Sequence, residues 1–300
     1  NFIPIWGFEL GDADAYMTRD PKTKEPKLDA DGKFVELTPY SLEHVAEKYR
    51  EHDMPGGWML VNDGYGCNYT QLPHVVKSLG ELGFETGLWT EGALVRMGWE
   101  VGTAGTRVQK LDVAWSSDTN KTTRDNKLSP VQHALECNKI AWDGITKNSD
   151  SRALTWTVLG WAGTQRYAVC WTGDQAGNWD LIRYHIPTLI TSGMSGQAYA
   201  TTDVDGIFGG SPETYTRDLQ WKCFTPAIYV MNGWSDGDAI NGVPKKSPWW
   251  FEEPYRSINR NYLKLKGRML PYMYKYAHDA ALTGAPIVRG LIWNYPNDRR

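Results

Sequence analysis

The sequence predicts an α/β protein folded as a (β/α)8 TIM barrel, and two observations lead to this class. Eight short runs rich in Val, Ile, Trp and Tyr recur along the 300 residues, most of them bounded by Gly, Asp or Asn. Helical periods separate these runs, and alternating strands and helices form a parallel sheet that eight strands can close. The predicted strands are Ile3–Phe8, Trp58–Asn62, Glu85–Trp89, Val108–Val113, Ala153–Leu159, Tyr167–Trp171, Gln197–Thr201 and Ala227–Met231.

The helices are predicted from apolar residues that recur every three or four positions. One such face follows a Ser41 cap, at Leu42, Val45, Ala46 and Tyr49, and a second is formed by Leu72, Val75, Val76 and Leu79. Further helices are expected at Pro130–Trp142, Trp179–Thr191, Pro212–Trp221 and Ile258–Leu282, and long polar loops at Gly11–Gly32 and Ser116–Leu128. We therefore expect residues 1–300 to form one barrel, with the last ~15 residues leading into a C-terminal β domain outside this sequence.

Composition and charge exclude several classes of function. The net charge is −3, from 32 Lys plus Arg and 35 Asp plus Glu, which gives no basic excess for a nucleic acid. No apolar run reaches the 18 or so residues of a membrane span. The four cysteines are widely spaced, the six histidines fall on or beside predicted helices, and no glycine motif has dinucleotide spacing. We expect neither a metal nor a cofactor.

Aromatic residues and strand-end acids indicate a sugar site. The chain has 15 Trp and 16 Tyr but only 7 Phe, and rings with a polar group suit a surface that must be both apolar and hydrogen-bonding. Acidic residues end or follow five predicted strands, where a barrel carries its reactive groups. They are Asp63, Glu91, Asp112, Asp174 and Asp203. Glycoside hydrolysis uses two such carboxyl groups. A metal site is the rival use of these acids.

Several longer motifs resemble glycoside hydrolase family 31. They are the run Gly163–Asp174 with its Trp171-Thr-Gly-Asp174 ending, Ser195-Gly196, Asp203-Val-Asp-Gly206, Phe224-Thr-Pro226, Arg268–Tyr274 and Gly284–Arg289. The family holds α-glucosidases and their relatives, which act with retention on a (β/α)8 barrel. The resemblance implies that this chain is the catalytic-domain part of a larger multidomain protein.

The resemblance also assigns roles to individual residues. It makes Asp112 the nucleophile and Asp174 the acid/base, and retention then places their carboxyl groups about 5–5.5 Å apart. Asp63 takes the position of an acid that holds sugar hydroxyls. Arg166, Trp171 and Asp203 fall on pocket positions of the family. From the residues themselves we add Lys110, which strand alternation would place beside Asp112, and three tryptophans near predicted strand ends, Trp89, Trp161 and Trp234.

Departures from the family pattern bear on the sugar. Family α-glucosidases hold the sugar 2-hydroxyl with an Arg and a His. Here the Arg place falls in Trp156-Thr-Val158 and the His place falls near Met231. Without these partners the pocket would suit a bulkier 2-substituent, and the sequence is most similar to the α-N-acetylgalactosaminidase branch. The alternatives are an α-galactosidase, an α-glucosidase, a transglycosylase or a non-catalytic sugar-binding barrel.

The expected partner is a terminal α-linked sugar on a glycan. We expect neither a nucleic acid nor a membrane span, and the sequence leaves the oligomeric state open. Because glycan substrates lie outside cells, we expect an extracytoplasmic location.

Overall fold

The fold is an eight-stranded parallel sheet curved into a barrel. It comes from a computed structural model that describes residues 10–15, 29–31, 42–61, 72–89, 94, 96–112, 128–231 and 246–298. The strands follow the order β7-β6-β5-β4-β3-β2-β1-β8, and all seven neighbouring pairs in this order are parallel, which confirms the predicted fold class. Their bounds are β1 Leu10–Ala15, β2 Trp58–Val61, β3 Glu85–Trp89, β4 Val108–Leu111, β5 Leu154–Thr157, β6 Val169–Trp171, β7 Ala200–Thr201 and β8 Ile228–Met231.

The barrel closes between β7 and β8 through few bonds. The backbone N–H of Val204, just beyond β7, donates to the Tyr229 carbonyl at 3.0 Å. The Thr201 hydroxyl donates to the Ala227 carbonyl at 2.8 Å. A two-residue strand cannot form a long ladder, so a side chain supplies part of this seam.

Helices cover the outside of the sheet. They are α1 Leu42–Glu51, α2 Leu72–Glu81, α3 Pro130–Asn148, α4 Trp179–Met194, α5 Pro212–Lys222, α6 Tyr255–Arg268 and α7 Leu270–Thr283. Shorter turns are a π-helix at Gly98–Thr103 and 3-10 helices at Thr164–Arg166 and Leu291–Trp293. No helix in the described part of the chain is long and apolar enough to cross a membrane.

Side chains of the strands alternate between the two faces of the sheet, as strand geometry requires. In β2, Met59 and Val61 pack with the outer helices, whereas Trp58 and Leu60 join an aromatic cluster inside the barrel. The outer contacts use the predicted apolar helix faces, and Tyr49 of α1 is fully buried. Each large apolar side chain buried in this way contributes about 1.5–3 kcal/mol.

Two expectations about the elements are wrong in part. The first strand is Leu10–Ala15, which overlaps the predicted Gly11–Gly32 loop. Its sequence has no β-branched residue, but it pairs with both β2 and β8, and this pairing outweighs local propensity. The predicted strand Ile3–Phe8 lies outside the described residues.

The other difference concerns a helix. The expected helix Ile258–Leu282 is two helices that meet at Met269, because Pro271 in the next turn lacks an N–H and its ring would clash with the preceding turn. Residues 158–168, which join β5 to β6, contain only the 3-10 turn Thr164–Arg166 and no α-helix.

Candidate active site

Asp112 lies at the carboxyl end of β4, where a barrel presents its reactive groups. It is 7% exposed, and one carboxylate oxygen, Oδ2, meets two donors. The Trp89 indole nitrogen donates to this oxygen at 3.3 Å, and the Lys110 Nζ lies 3.5 Å from it. Both contacts place a donor with positive charge beside the same carboxylate oxygen. Alternation along β4 does bring Lys110 and Asp112 together, as the sequence predicts.

The Lys110 ammonium is buried against aromatic and sulfur atoms rather than water. Its residue is 2% exposed, and Nζ lies 5.0 Å from the Trp156 ring centroid and 4.8 Å from that of Trp171. The Met231 sulfur is 3.8 Å from the same nitrogen. Faces of indole rings attract cations, which offsets part of the cost of burying this charge. Lys110 therefore joins the end of β4 to β5, β6 and β8.

An aromatic layer fills the barrel beneath this pair. The Trp156 centroid is 3.7 Å from that of Tyr229, 5.2 Å from that of Trp171 and 5.6 Å from that of Trp58. These four side chains come from β2, β5, β6 and β8 and are buried. Their four polar atoms, three indole N–H groups and one hydroxyl, have no well-directed hydrogen bond. The layer is therefore built of aromatic rings but carries polar groups in the barrel interior.

Asp203 follows β7 and is the most deeply buried acid of the site, at 1% exposure. Burial raises the pKa of Asp203 to about 7, against the opposing influence of the Lys110, Lys246 and Lys222 ammonium groups. The Trp171 indole and the Tyr229 hydroxyl approach its carboxyl group, but neither makes a well-directed hydrogen bond to it. Near neutral pH this carboxyl is therefore partly protonated.

Asp174 lies three residues beyond β6, at the same end of the barrel as Asp112, and it is exposed. Its loop ends at Asn178, whose side chain caps α4 by accepting from the Leu181 N–H at 2.8 Å. Such a cap is worth about 1 kcal/mol and fixes the start of the helix. The two acids thus differ in support: one follows a strand directly, and the other is held by a loop.

The other predicted site residues have different outcomes. Trp89, Lys110, Trp171 and Asp203 gather around Asp112 as described. Trp161 is 56% exposed in the loop after β5 and has no contact with this group among the described interactions. Asp63 and Trp234 lie outside the described residues.

Arg166 is not brought to this site, which corrects its prediction as a pocket residue. It precedes β6 and so lies toward the opposite, amino end of that strand, where its guanidinium covers the Tyr167 ring at 5.3 Å. It lines a cavity of about 650 Å³ with Trp142 and Tyr199. The predicted residue belongs to the right motif but stands at the wrong end of the strand.

Sequence reasoning missed three members of the aromatic layer, Trp58, Trp156 and Tyr229. All three lie inside apolar strand runs, where a ring is ordinarily core. The alternation of side chains along a strand was the available signal. Each of the three lies two residues from another interior residue of its own strand, Leu60, Leu154 or Met231, and therefore on the same face.

Among the described residues, no three His, Cys, Asp or Glu side chains come together as a metal site.

Comparison with known proteins gives a consistent result. The model of the glycosyl hydrolases family 31 TIM-barrel domain matches residues 100–276, more than half of the chain. An α-xylosidase of Saccharolobus solfataricus is 32% identical over 168 residues, 54% of this chain and 22% of that protein. The α-glucosidase 2 of Bacillus thermoamyloliquefaciens is 35% identical over 187 residues, 59% of this chain and 23% of that protein. The chain thus spans less than a quarter of either relative.

Solved structures agree in fold. A family 31 α-xylosidase from a soil metagenome, in complex with xylose, superposes with a TM-score of 0.72 at 18% identity, over 99% of this chain and 54% of that one. A family 31 α-glucosidase from Bacteroides thetaiotaomicron gives 0.72 at 17% identity, over 99% of this chain and 57% of that one. Because the family model matches over half of its residues, this chain belongs to glycosyl hydrolase family 31.

Proposed function

We propose that this chain is the catalytic barrel of a retaining, exo-acting α-glycoside hydrolase with Asp112 as nucleophile and Asp174 as acid/base. The observation that carries the proposal is the buried Asp112 carboxylate at the end of β4, paired with Lys110 and Trp89. A carboxylate beside a buried cation, in an apolar and aromatic surrounding, is suited to attack an electron-poor carbon. The α-glycosidases among its relatives support the same reaction class.

The reaction proceeds in two displacements. In the first, an Asp112 oxygen bonds to the anomeric carbon while the bond to the glycosidic oxygen breaks and that oxygen takes the Asp174 proton. The aglycone leaves as an alcohol, and the sugar stays on Asp112 as an ester. In the second, the Asp174 carboxylate takes a proton from water, the water oxygen bonds to the anomeric carbon, and the Asp112 carboxylate is released.

The sugar preference we propose is α-linked N-acetylgalactosamine. Its support is the replacement of polar by apolar side chains beside the nucleophile. The family resemblance places the Arg that holds a 2-hydroxyl within Trp156–Val158 and the His near Met231, and both Trp156 and Met231 contact Lys110. A bare 2-hydroxyl left unpaired there costs about 1–3 kcal/mol per lost bond, whereas an acetamido methyl group gains apolar contact. The α-glucosidase relatives support a glucoside substrate as the alternative.

A panel of nitrophenyl α-glycosides tests the sugar. Turnover of the α-N-acetylgalactosaminide above the glucoside, xyloside and galactoside supports the preference. Cleavage of the α-glucoside with none of the α-N-acetylgalactosaminide contradicts it. The released sugar, followed by NMR, should first appear as the α anomer, and first appearance of the β anomer would exclude retention.

A trapping experiment tests the nucleophile. A 5-fluoro glycosyl fluoride of the accepted sugar should form a stable ester, and mass spectrometry should find the added mass on the peptide that contains Asp112. Added mass on another carboxylate would overturn this assignment. Sugar binding without turnover, unchanged in Asp112→Asn and Asp174→Asn, would instead indicate a non-catalytic barrel.

A further inference from the structure

The Asp174 loop is fastened to the loop that follows β7. The Phe208 N–H donates to the Gln175 carbonyl at 3.2 Å, and the Gly177 N–H donates to the Gly209 carbonyl at 3.1 Å. These bonds hold the residue after Asp174 and the third residue after it. The loop that carries Asp174 is therefore held by the neighbouring loop as well as by its own strand.

Close backbone packing between the two loops explains their glycines. A Cβ at Gly206 would overlap the Gln175 carbonyl, and one at Gly210 would overlap the Gly177 carbonyl. A Cβ at Gly177 would overlap the Asp205 carboxyl. The loops therefore touch through backbone atoms, and a shift of either loop moves the other.

Asp205 lies at the centre of this contact and is 4% exposed. Its carboxylate Oδ2 accepts the Gly210 N–H at 2.6 Å, and its own N–H donates to Asp218 at 2.7 Å. Its φ of +58° is a left-handed conformation, which Asp adopts more readily than most residues. Its side chain and its backbone thus both fix the course of the loop over residues 203–210.

Buried charged side chains hold Asp205 and the residues that follow it. The Lys222 ammonium bonds Asp218 at 2.5 Å and also reaches the Asp203 carbonyl. The Lys246 ammonium donates to the Gly206 and Ile207 carbonyls, the latter at 2.9 Å. The three charged side chains of Asp218, Lys222 and Lys246 are all nearly inaccessible to solvent. Such a network is costly to disturb and therefore rigid.

Gln175 receives a second support from α4. Its side-chain oxygen contacts His185 Nε2 and accepts the Thr172 hydroxyl at 3.2 Å. Burial, with the nearby Lys222, lowers the pKa of His185 to about 4, so the ring is neutral at neutral pH. The residue next to Asp174 is thus held on both its backbone and its side chain.

We propose that Asp205 is a positioning residue for Asp174: by fixing the loop after β7, it sets the distance from which Asp174 delivers its proton to the leaving oxygen. The inference rests on the proposed role of Asp174. Asp205 acts through Gly177 and Gln175 and touches no reacting atom. Misplacement by about 1 Å can cost about a hundredfold in rate, so a small loop shift is sufficient.

The test compares two α-glycosides of the sugar identified by the panel, one with a dinitrophenyl and one with a methyl aglycone. Only the poor methyl leaving group needs a well-placed proton donor. In the full-length protein, Asp205→Ala should lower kcat/KM for the methyl glycoside about 10- to 100-fold and for the dinitrophenyl glycoside about threefold or less. Equal losses on both substrates would overturn the proposal.

Two more variants keep the outcome decisive. Gly177→Ala places a methyl group against Asp205 on a partly exposed loop, and it should give the same selective loss even if Asp205→Ala does not fold. An unchanged substrate ratio in folded Gly177→Ala would also overturn the proposal. Arg50→Gln is the matched control. It removes partly buried hydrogen bonds from the Arg50 guanidinium to the Leu82 and Gly56 carbonyls near α1, and it should leave the ratio of the two substrates unchanged.

A third variant separates this proposal from the proposed function. If Asp174→Ala shows no selective loss on the methyl glycoside, then the acid/base assignment itself is wrong. If Asp174→Ala shows that loss but Asp205→Ala lowers both substrates equally, only the positioning role of Asp205 is wrong.

Discussion

The two carboxyl groups proposed for catalysis are held in contrasting ways. Asp112 follows β4 directly, is buried, and meets a lysine and an indole of neighbouring strands. Asp174 sits on an exposed loop whose place depends on another loop and a buried charge network. The sheet therefore fixes one acid, whereas loop-to-loop packing fixes the other.

The contrast matches what each group must do with protons. A nucleophile attacks as a carboxylate, forms an ester and is released again without taking up a proton, so burial beside a fixed cation suits it. An acid/base group gives a proton and later takes one from water, which requires access to solvent. The same end of the barrel thus carries a buried carboxyl group, Asp112, and a solvent-exposed one, Asp174, a few strands apart.

The sharpest way to break this comparison is to remove each acid in turn. Asp112→Ala should lower kcat on every glycoside by about 10⁴-fold or more, because no covalent intermediate can form. Asp174→Ala should lose about 10²- to 10⁴-fold on a methyl glycoside, with much less loss on a dinitrophenyl glycoside, and azide should restore part of its turnover. Equal dependence of the two variants on the leaving group would mean that the acids are not distinct in role.

The charge beside Asp112 gives the next largest effect. Lys110→Met keeps the stem against the Trp156 and Trp171 rings but removes the cation, and kcat/KM should fall about 10- to 100-fold. Steady-state kinetics with the nitrophenyl glycoside measure this loss. Lys147→Met, whose side chain is on the surface of α3, is the control. A rate within twofold of the wild type in folded Lys110→Met would show that the reaction at Asp112 does not depend on the Lys110 cation.

The apolar side of the site predicts a change of substrate. Met231→His returns a polar group beside Lys110, and the ratio of glucoside to N-acetylgalactosaminide turnover should rise about tenfold. The nitrophenyl panel measures this ratio. Met231→Leu preserves the apolar character and should leave it near its starting value. A rise in both variants would point to lost packing rather than to a restored hydrogen bond.

The smallest effect concerns stability and pH. Because burial raises the pKa of Asp203 to about 7, the folded protein keeps a proton there that the unfolded chain releases near pH 4. The contribution of this group to stability is therefore present below pH 4 and is lost as the pH rises toward 7. The free energy of unfolding of Asp203→Asn, relative to the wild type, should increase over this interval in urea titrations. A constant difference between pH 4 and 7 would contradict this account.

The sequence predicted the fold class and the alternation of strands and helices, because hydrophobic periodicity and acids at strand ends can be recognised in one sequence. It also predicted the meeting of Lys110 with Asp112, which needs only a regular strand. It could not predict that Leu10–Ala15 is a strand, since partners distant in sequence determine that pairing. Arg166 was misplaced because its motif crosses from the loop after β5 to the start of β6, and the spacing alone does not locate the turn.

The loop network was beyond sequence reasoning for another reason. In the sequence Asp205 appears only within the Asp203–Gly206 motif. Its partner Asp218 lies 13 residues further along the chain, and Lys246, which donates to the Gly206 carbonyl, lies 40 residues beyond Gly206. The glycines of this stretch lack the spacing of a dinucleotide-binding motif. In the structure they allow two backbones to touch, which no local pattern reveals.

The short seam between β7 and β8 has a consequence for local opening of the barrel. One backbone bond from Val204 and one hydroxyl bond from Thr201 join β7 to β8 here, whereas β2 and β3 are paired over four residues. We expect the Val204 amide to exchange its hydrogen for deuterium sooner than the amides within β2 and β3, and the barrel to part first along this line. Since Asp203 stands directly on the seam, local opening would admit water to the most protected acid of the site.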